Sequence, residues 1–410
     1  MNKKHVIIFI VLISGLLIFN NILHNMYVKL STSPSILQTK VNTEEISAQK
    51  LFDRSWKIIK KSYFDSSMNE QDWYRWKLHY QGKIKTDEDA YVAINTMLES
   101  LNDPYSKFLS KKEFAELNTS IDSKITGIGV NIYSNAGKIT VFNVIEGTPA
   151  SSAGIKSGDI VFAVDKKEVS GMSISDVAGL VRGPENSMVD LTLLRDNKKI
   201  NKNIKRKEIK IKTVKSSVDK NIGYIQILSF IGLTTSNEFL EALEKTEKTQ
   251  GLIIDLRGNP GGLLPNAVFI ANLFIPKGKI VSVVGRNGLK QDLSAQETNY
   301  NVDKPLIVLI DHSSASASEI LSGALKDYNK AKLVGTTTYG KGMVQEVLPM
   351  PNETGLNLTI AKYLTPKGTD INKKGISPDV PIELTVEDLK KNNDTQLNVA
   401  KKIMADMIKK

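Results

Sequence analysis

A chain of 410 residues with 41% hydrophobic content has material for two or three domains with real cores, which excludes a disordered protein. Its net charge of +11 comes from lysines spread among glutamates along the chain, and such composition gives no argument for nucleic-acid binding. The lack of any cysteine excludes disulfides, a thiol nucleophile, cysteine metal sites and a lipoprotein cysteine, and fits a secreted or surface protein.

The first element is "MNKKHVIIFIVLISGLLIFNNIL", a basic start followed by an apolar run from Val6 to Phe19 that extends through Leu23. That reaches the roughly 17 residues a bilayer-spanning helix needs. No Ala-x-Ala-like cleavage site follows, and "STS" at 31–33 runs into Pro34. The reading is an uncleaved signal anchor and linker over 1–42, with residues 2–5 inside and everything after about residue 25 outside by the positive-inside rule, and a cleaved signal peptide as the alternative. A helical region is expected over 43–120. "EEISAQKLFDRSWKIIKKSYF" spaces Ile46, Leu51, Trp56, Ile59 and Tyr63 as one face of an amphipathic helix. A second periodic stretch, "EDAYVAINTMLESL", stops at Asp103-Pro104.

Residues 121–206 read as a β-rich module: apolar and polar residues alternate between glycine turns, with one short helix at "SISDVAGLVRG". Beyond it, the buried-looking strands "IGYIQILSF", "GLIIDLRG" and "PLIVLIDH" alternate with helical stretches, which argues an α/β layer with parallel pairing over 207–386. Residues 387–410 form a polar, Lys-rich helical tail. The sequence has no repeat, calcium loop or H-E-x-x-H helix.

"DHSSASASEILSGAL", 311–325, follows a strand and opens a helix, so a serine here sits where orphan N–H groups stabilise negative charge. Ser316-Ala-Ser-Glu319 equally fits a capping box, with Ser316 as N-cap and Glu319 at N3. The small residues Ser313 to Ser318 would let a substrate backbone come close. If Ser316 is a nucleophile it needs a base, and the chain has only His5, His24, His79 and His312. His312 would have to fold back over its own turn and has no evident orienting partner. The other option is Lys341 in "YGKGMVQEV". Lysine ordinarily titrates near ~10.4, but burial lowers that value and makes a workable base. Gly340 and Gly342 would let the main chain pass close to another segment, and Gln345 four residues on could hold the amine, though alone it carries no argument; the alternative is a glycine-loop lysine with its amine in water. "DLRGNPGG", 255–262, ends a strand in a tight turn that exposes N–H groups, either a plain connection or an oxyanion hole.

In this order "LRGNPGG", "SASASEI", "GKGMVQ" and "YLTPKGTDINKKGISPD" resemble the C-terminal processing peptidases (tail-specific proteases, serine peptidase family S41). "LNDPYSKFL" is similar to that family's N-terminal signature, and 121–206, with "GIGV" and "EGTPASSAGIKSGDIV", to its PDZ domain. The likeness covers roughly 45–385. It implies Ser316 as nucleophile, Lys341 as base and Gln345 as its assistant, with oxyanion N–H groups from Ala317 and a glycine of "NPGG", Gly262 with Gly261 as rival. It also points to Asp327 as a relay aspartate, although eleven helical residues span roughly 16 Å, too far to touch the Ser316 hydroxyl. The "GIGV" loop (Gly127, Ile128, Gly129, Val130) would bind a substrate carboxylate. Arg182, after the short helix, is the charged candidate for coupling peptide binding to catalysis. Asp311 and Ser313 depart from the family, where Asn and Gly are frequent.

The resemblance implies an α/β protease core of ClpP/crotonase-like layered fold, with an inserted PDZ domain and an N-terminal helical region. The expected activity is that of a membrane-anchored serine endopeptidase without metal or organic cofactor. Its partners would be protein substrates with apolar C-terminal tails and the membrane, with no nucleic acid, and a homodimer is allowed. The expected setting is a bacterial cell membrane of the Gram-positive kind, with the catalytic part outside. The rival readings are a non-catalytic surface protein whose PDZ module captures C-termini, and crotonase-like thioester chemistry.

Overall fold

The structure is a computed structural model that describes residues 41–409 except 123, 136, 299 and 392. The expected anchor lies outside the described residues. Among the described residues no helix is long and apolar enough to cross a membrane. The described residues form two compact units, one from 41–118 together with 213–409, the other from 119–212.

The larger unit opens with helices α1 (Ala48–Ser62), α2 (Tyr74–Tyr80) and α3 (Asp87–Glu99), then strand β1 (Lys107–Leu109) and helix α4 (Lys111–Asp122). The expected face of α1 is the buried one, with Leu51, Phe52, Trp56 and Ile59 inside. A reciprocal cap between Thr86 and Asp89 starts α3.

The smaller unit holds β2 (Lys124–Gly127), β3 (Val130–Asn135), β4 (Lys138–Val144), α5 (Pro149–Ser152), β5 (Ile160–Val164), β6 (Lys167–Glu168), α6 (Ile174–Val181), β7 (Met188–Arg195), β8 (Lys198–Lys205) and β9 (Lys207–Lys210). Its main sheet runs β3-β4-β5-β7-β8, with β3 and β8 at the edges, and β2 pairs separately with β9. Inward positions of alternating strands, such as Val189, Leu191 and Leu193 of β7, build a core with Val177 and Val181 of α6. "KKINKNIKRKEIKIK", 198–212, concentrates lysines on the β8 edge and β9, a local clustering that whole-chain composition hides.

The chain then returns to the larger unit with β10 (Val214–Asp219), β11 (Ile222–Ile227), α7 (Thr235–Lys245), β12 (Gly251–Asp255), α8 (Leu264–Asn272), β13 (Lys279–Gly285), β14 (Lys290–Ser294), β15 (Leu306–Ile310), α9 (Ala317–Asp327), β16 (Lys332–Gly335), β17 (Met343–Met350), β18 (Thr354–Leu364), β19 (Val380–Pro381), α10 (Val386–Lys390) and α11 (Thr395–Ile408). One sheet has the order β10-β11-β12-β15-β16-β19 and is parallel from β11 onward. β12 and β15 are buried at every position, as strands of a sheet covered on both faces must be. Their alternate residues face different layers. Leu252, Ile254 and Val308 join the core with α7, α8 and α9, whereas Ile253, Ile307 and Leu309 pack with Ala400 and Met404 of α11.

Residues 387–410, expected as a polar tail, thus contribute a core helix. Only a narrow stripe of α11 is apolar, so its sequence reads as polar while Gln396, Ala400 and Met404 are buried. The N-terminal helices are likewise no separate body. Phe52, Ile59 and Leu98 share one cluster with Phe108, Leu356 and Leu358. The second sheet, β1-β18-β13-β14 with β17 also on β18, joins those helices to the segment 279–364.

Candidate active site

Ser316 sits at the junction of β15 and α9 with φ +56° and ψ −112°, a backbone that an L-residue rarely adopts. The turn is held by many bonds. The Ser314 hydroxyl donates to the Leu256 carbonyl (2.8 Å), the Ala315 N–H to the Asn259 carbonyl (3.0 Å), and Gly258 N–H to the Asp311 carboxylate (3.0 Å). The "DLRGNPGG" turn and the serine turn are therefore laced together strand-end to strand-end. The capping reading of Ser316 holds in outline, as a reciprocal box with Glu319. Its N–H donates to Glu319 Oε2 at 2.8 Å, but the Glu319 N–H points at the Ser316 carbonyl at 2.8 Å. The box closes only loosely, and the Ser316 hydroxyl makes no cap hydrogen bond of its own.

Glu319 does more than cap. It is fully buried, and its carboxylate also accepts from the Thr338 hydroxyl (2.5 Å), Gly340 N–H (2.7 Å) and Lys341 N–H (2.9 Å). One side chain thus binds the loops of Ser316 and Lys341 together. Buried Tyr363 makes a second link: its hydroxyl donates to the Lys341 carbonyl at 2.6 Å and lies 3.1 Å from the Ser316 carbonyl. Burial raises the Tyr363 phenol well above its ordinary range, and the Glu319 charge adds to this. A third link is the Tyr339 N–H on the Ser314 carbonyl, 3.0 Å.

The two glycines around Lys341 are needed for close approach. A Cβ on Gly340 would fall 2.9 Å from the main-chain nitrogens of Lys374 and Gly375, and one on Gly342 2.8 Å from Asn372. Half-buried Lys341 has its amine 4.8 Å from the centre of the Tyr105 ring. Among the described residues no carboxylate lies within ion-pair distance of that amine, and no hydrogen bond joins it to Ser316 Oγ. Burial pushes the Lys341 ammonium below the ordinary lysine value, while the charges of Asp103 and Glu319 pull the other way. The net direction is toward the neutral amine.

The glycine pair of the "NPGG" turn divides by role. Gly261 (φ +98°) donates its N–H to Asn259 Oδ1 at 2.8 Å, and a Cβ there would stand 2.8 Å from the Ser316 Cβ. Gly262 (φ +144°) leaves no room for a side chain, since its Cβ would lie 2.2 Å from the Ile231 nitrogen. Among the described residues no acceptor takes the N–H of Gly262 or of Ala317, so these two remain open for an oxyanion.

Other expected residues do not meet this cluster directly. Gln345 donates to Thr359 Oγ1 (3.2 Å), its cross-strand partner on β18, and not to the Lys341 amine. Asp327 accepts the Lys367 N–H at 2.8 Å from the far end of α9; it anchors the 365–369 turn, and the length of the helix keeps it from the hydroxyl. His312 is exposed, and His79 lies edge-on to Tyr80 in α2, ring centres 4.7 Å apart. Glu319, Tyr363 and Tyr105 were the residues sequence reasoning missed. Glu319 carried a signal only as an N3 cap, and Tyr105 only as part of "NDPYS". Among the described residues no cluster of three or more His, Cys, Asp or Glu could hold a metal.

In the smaller unit, Gly127 ends β2 and Val130 begins β3. Gly129 has φ +88°, and a Cβ there would sit 2.4 Å from the Thr148 side chain. The Ile128 and Gly129 carbonyls are taken by the N–H groups of Ala150 (2.8 Å) and Ile145 (2.9 Å), which fixes the loop. Beside it, among the described residues, no strand pairs with the outer edge of β3. Arg182 is exposed at the end of α6. The neighbouring buried arginine is Arg206, which caps α6 by donating to the Val181 (2.9 Å) and Leu180 (3.1 Å) carbonyls.

Comparison with known proteins identifies the family. Residues 221–382 match peptidase family S41, and residues 140–195 match the PDZ domain. The carboxyl-terminal-processing protease of Synechocystis sp. is 33% identical over 375 residues, covering 88% of this chain and 86% of that protein. The carboxy-terminal processing protease CtpA of Bacillus subtilis is 41% identical over 307 residues, 73% of this chain and 66% of that one. The solved photosystem II D1 C-terminal processing protease superposes with a TM-score of 0.56 at 31% identity, over 83% of this chain and 94% of that one. The chain belongs to peptidase family S41: it is a C-terminal processing serine peptidase that carries a PDZ domain.

Proposed function

We propose that this enzyme cleaves with a Ser316–Lys341 dyad, is anchored in the membrane by its N-terminal segment, and selects protein substrates by their C-terminal tails. The observation that carries the dyad is the burial of Lys341 without a carboxylate partner, on a loop that Glu319 and Tyr363 bind to the Ser316 turn.

The neutral Lys341 amine takes the Ser316 proton as the hydroxyl oxygen attacks the peptide carbonyl. The carbonyl oxygen, now negative, is met by the N–H groups of Gly262 and Ala317, the latter at the positive end of α9. The lysine ammonium then protonates the leaving amine, and water releases the acyl-enzyme by the same route. Gln345 donates to Thr359 Oγ1, and its assisting role is kept as what the family likeness implies.

Tail selection rests on the Gly127–Val130 loop and the free edge of β3. A peptide adding as a strand there would bring its carboxylate to the loop N–H groups, with apolar end residues against the core that contains Ile128 and Val177. The apolar run at 6–23 supports a single-pass anchor with the catalytic part outside a bacterial, Gram-positive cell. The test is to incubate residues 43–410, with and without Ser316→Ala, with surface-protein extract and sequence the fragments. New C-termini that need Ser316 support the reading, and none would sink it. Surface protease on intact cells checks the topology: it should digest residues after about 30 while the chain stays membrane-bound.

A further inference from the structure

The base and its immediate cover come from opposite ends of the larger unit. Tyr105 belongs to the segment between α3 and β1, more than two hundred residues before Lys341, yet its ring centre lies 4.8 Å from the Lys341 amine. That segment is pinned. The Tyr105 carbonyl accepts from Asn357 Nδ2 (2.9 Å), the Ser106 hydroxyl accepts the Thr359 N–H (3.0 Å) and donates to Asp103 (2.6 Å), and β1 pairs with β18. The Tyr105 phenol interacts with that of Tyr339, two residues before Lys341, and burial followed by this contact raises it above the ordinary tyrosine range. Tyr339 is itself 59% exposed, and the Tyr105 ring that it contacts is the one seated against the amine.

We propose that Tyr105, braced by Tyr339, is a positioning residue for the base: it closes the Lys341 amine off from water and so sets the pH range in which the peptidase works. This rests on the dyad reading above.

Two effects of the ring oppose each other. Its face attracts an ammonium, worth about 0.5–2 kcal/mol in general, which favours the charged lysine. Its bulk excludes water, which favours the neutral one. The charged groups facing the amine are Asp103 before β1 and Glu319 on α9, and both favour the ammonium. Tyr105, Tyr339 and Tyr363, which also border the Lys341 loop, are phenols, and from the 372–375 turn main-chain atoms and Asn372 come nearest to the flanking glycines. With two carboxylates and a ring face all favouring charge, burial is what lowers the Lys341 value, and the Tyr105 ring is seated against the amine where it excludes water.

The experiment follows the phosphonylation rate of Ser316 by a fluorophosphonate against pH, using the full chain in detergent, which needs no peptide binding. Wild type, Lys341→Ala, Tyr105→Phe, Tyr105→Leu and Tyr105→Ala are compared. Relative to its own high-pH plateau, Tyr105→Ala falls about tenfold below wild type at pH 7 and comes within about twofold of it at pH 9.5. Tyr105→Leu, which keeps bulk and protects against a folding defect, falls between them, and Tyr105→Phe follows wild type. Equal loss at every pH in both the Leu and Ala variants, or a limb that moves to lower pH, overturns the proposal. A limb that disappears in Lys341→Ala but stays in place in Tyr105→Ala overturns this proposal alone. A limb that survives Lys341→Ala overturns the dyad, and the proposal with it.

Discussion

The Glu319 carboxylate lies 2.9 Å from the main-chain nitrogen of Lys341, across 22 residues of chain, and it simultaneously accepts the Ser316 N–H at 2.8 Å. A fully buried carboxylate with four donors is stable only because all of them point at it. Glutamine at this position would turn an NH2 group toward those N–H donors. We expect Glu319→Gln to lose about 3 kcal/mol of stability, from unpaired buried donors. It should also lower kcat by about 100-fold or more, because the two loops are no longer held in register. Urea melts and steady-state kinetics check both; an active, equally stable variant would remove Glu319 from the account.

Ser316→Ala and Lys341→Ala should each cost about a thousandfold or more in kcat. His312→Ala, at an exposed position outside the cluster, should keep most of the activity. Loss of activity in the histidine variant with unchanged circular dichroism would count against a lysine base.

The lowered Lys341 value also makes a stability prediction. The folded state disfavours the proton there, so below the folded value the buried ammonium costs stability. That cost fades as pH rises from the folded value toward the unfolded ~10.4. Lys341→Met should therefore melt higher than wild type at neutral and acidic pH, with a margin that narrows toward pH 10. A margin that widens with pH would reverse the sign.

Gly129→Val places a branched side chain at φ +88° against Thr148, and it should slow tail-dependent substrates more than casein. Amidating a peptide substrate's C-terminus should have the same selectivity. Equal loss on both substrates would mean that the smaller unit has merely unfolded, and unchanged cleavage of the amidated peptide would take the loop out of selection.

Much of this was legible in the sequence because local rules and tertiary structure agree there. The apolar runs of GLIID and LIVLI become the centre of a doubly covered sheet, and the glycines of G-K-G mark a close backbone approach that the structure contains. Where they diverge, the reason is packing. The stripe of α11 is too narrow to announce a core helix, and Glu319 looks like an ordinary N3 cap because its other donors come from 19 to 22 residues away. The choice of Gly262 over Gly261 needed the Asn259 side chain, which takes the Gly261 N–H. Tyr105 could not be placed over Lys341 without knowing that β1 pairs with β18.

The central claim is that Ser316 is the nucleophile and a neutral Lys341 its base. Intact-protein mass spectrometry of the acyl adduct formed from a slowly turned-over ester, followed against pH in wild type and Lys341→Ala, tests it most directly. The account predicts one adduct, on Ser316, whose rate of formation rises with pH through a value below that of free lysine, and about a thousandfold slower acylation in Lys341→Ala with that pH dependence gone. An adduct on any other residue, or the same rising profile in Lys341→Ala, would contradict it.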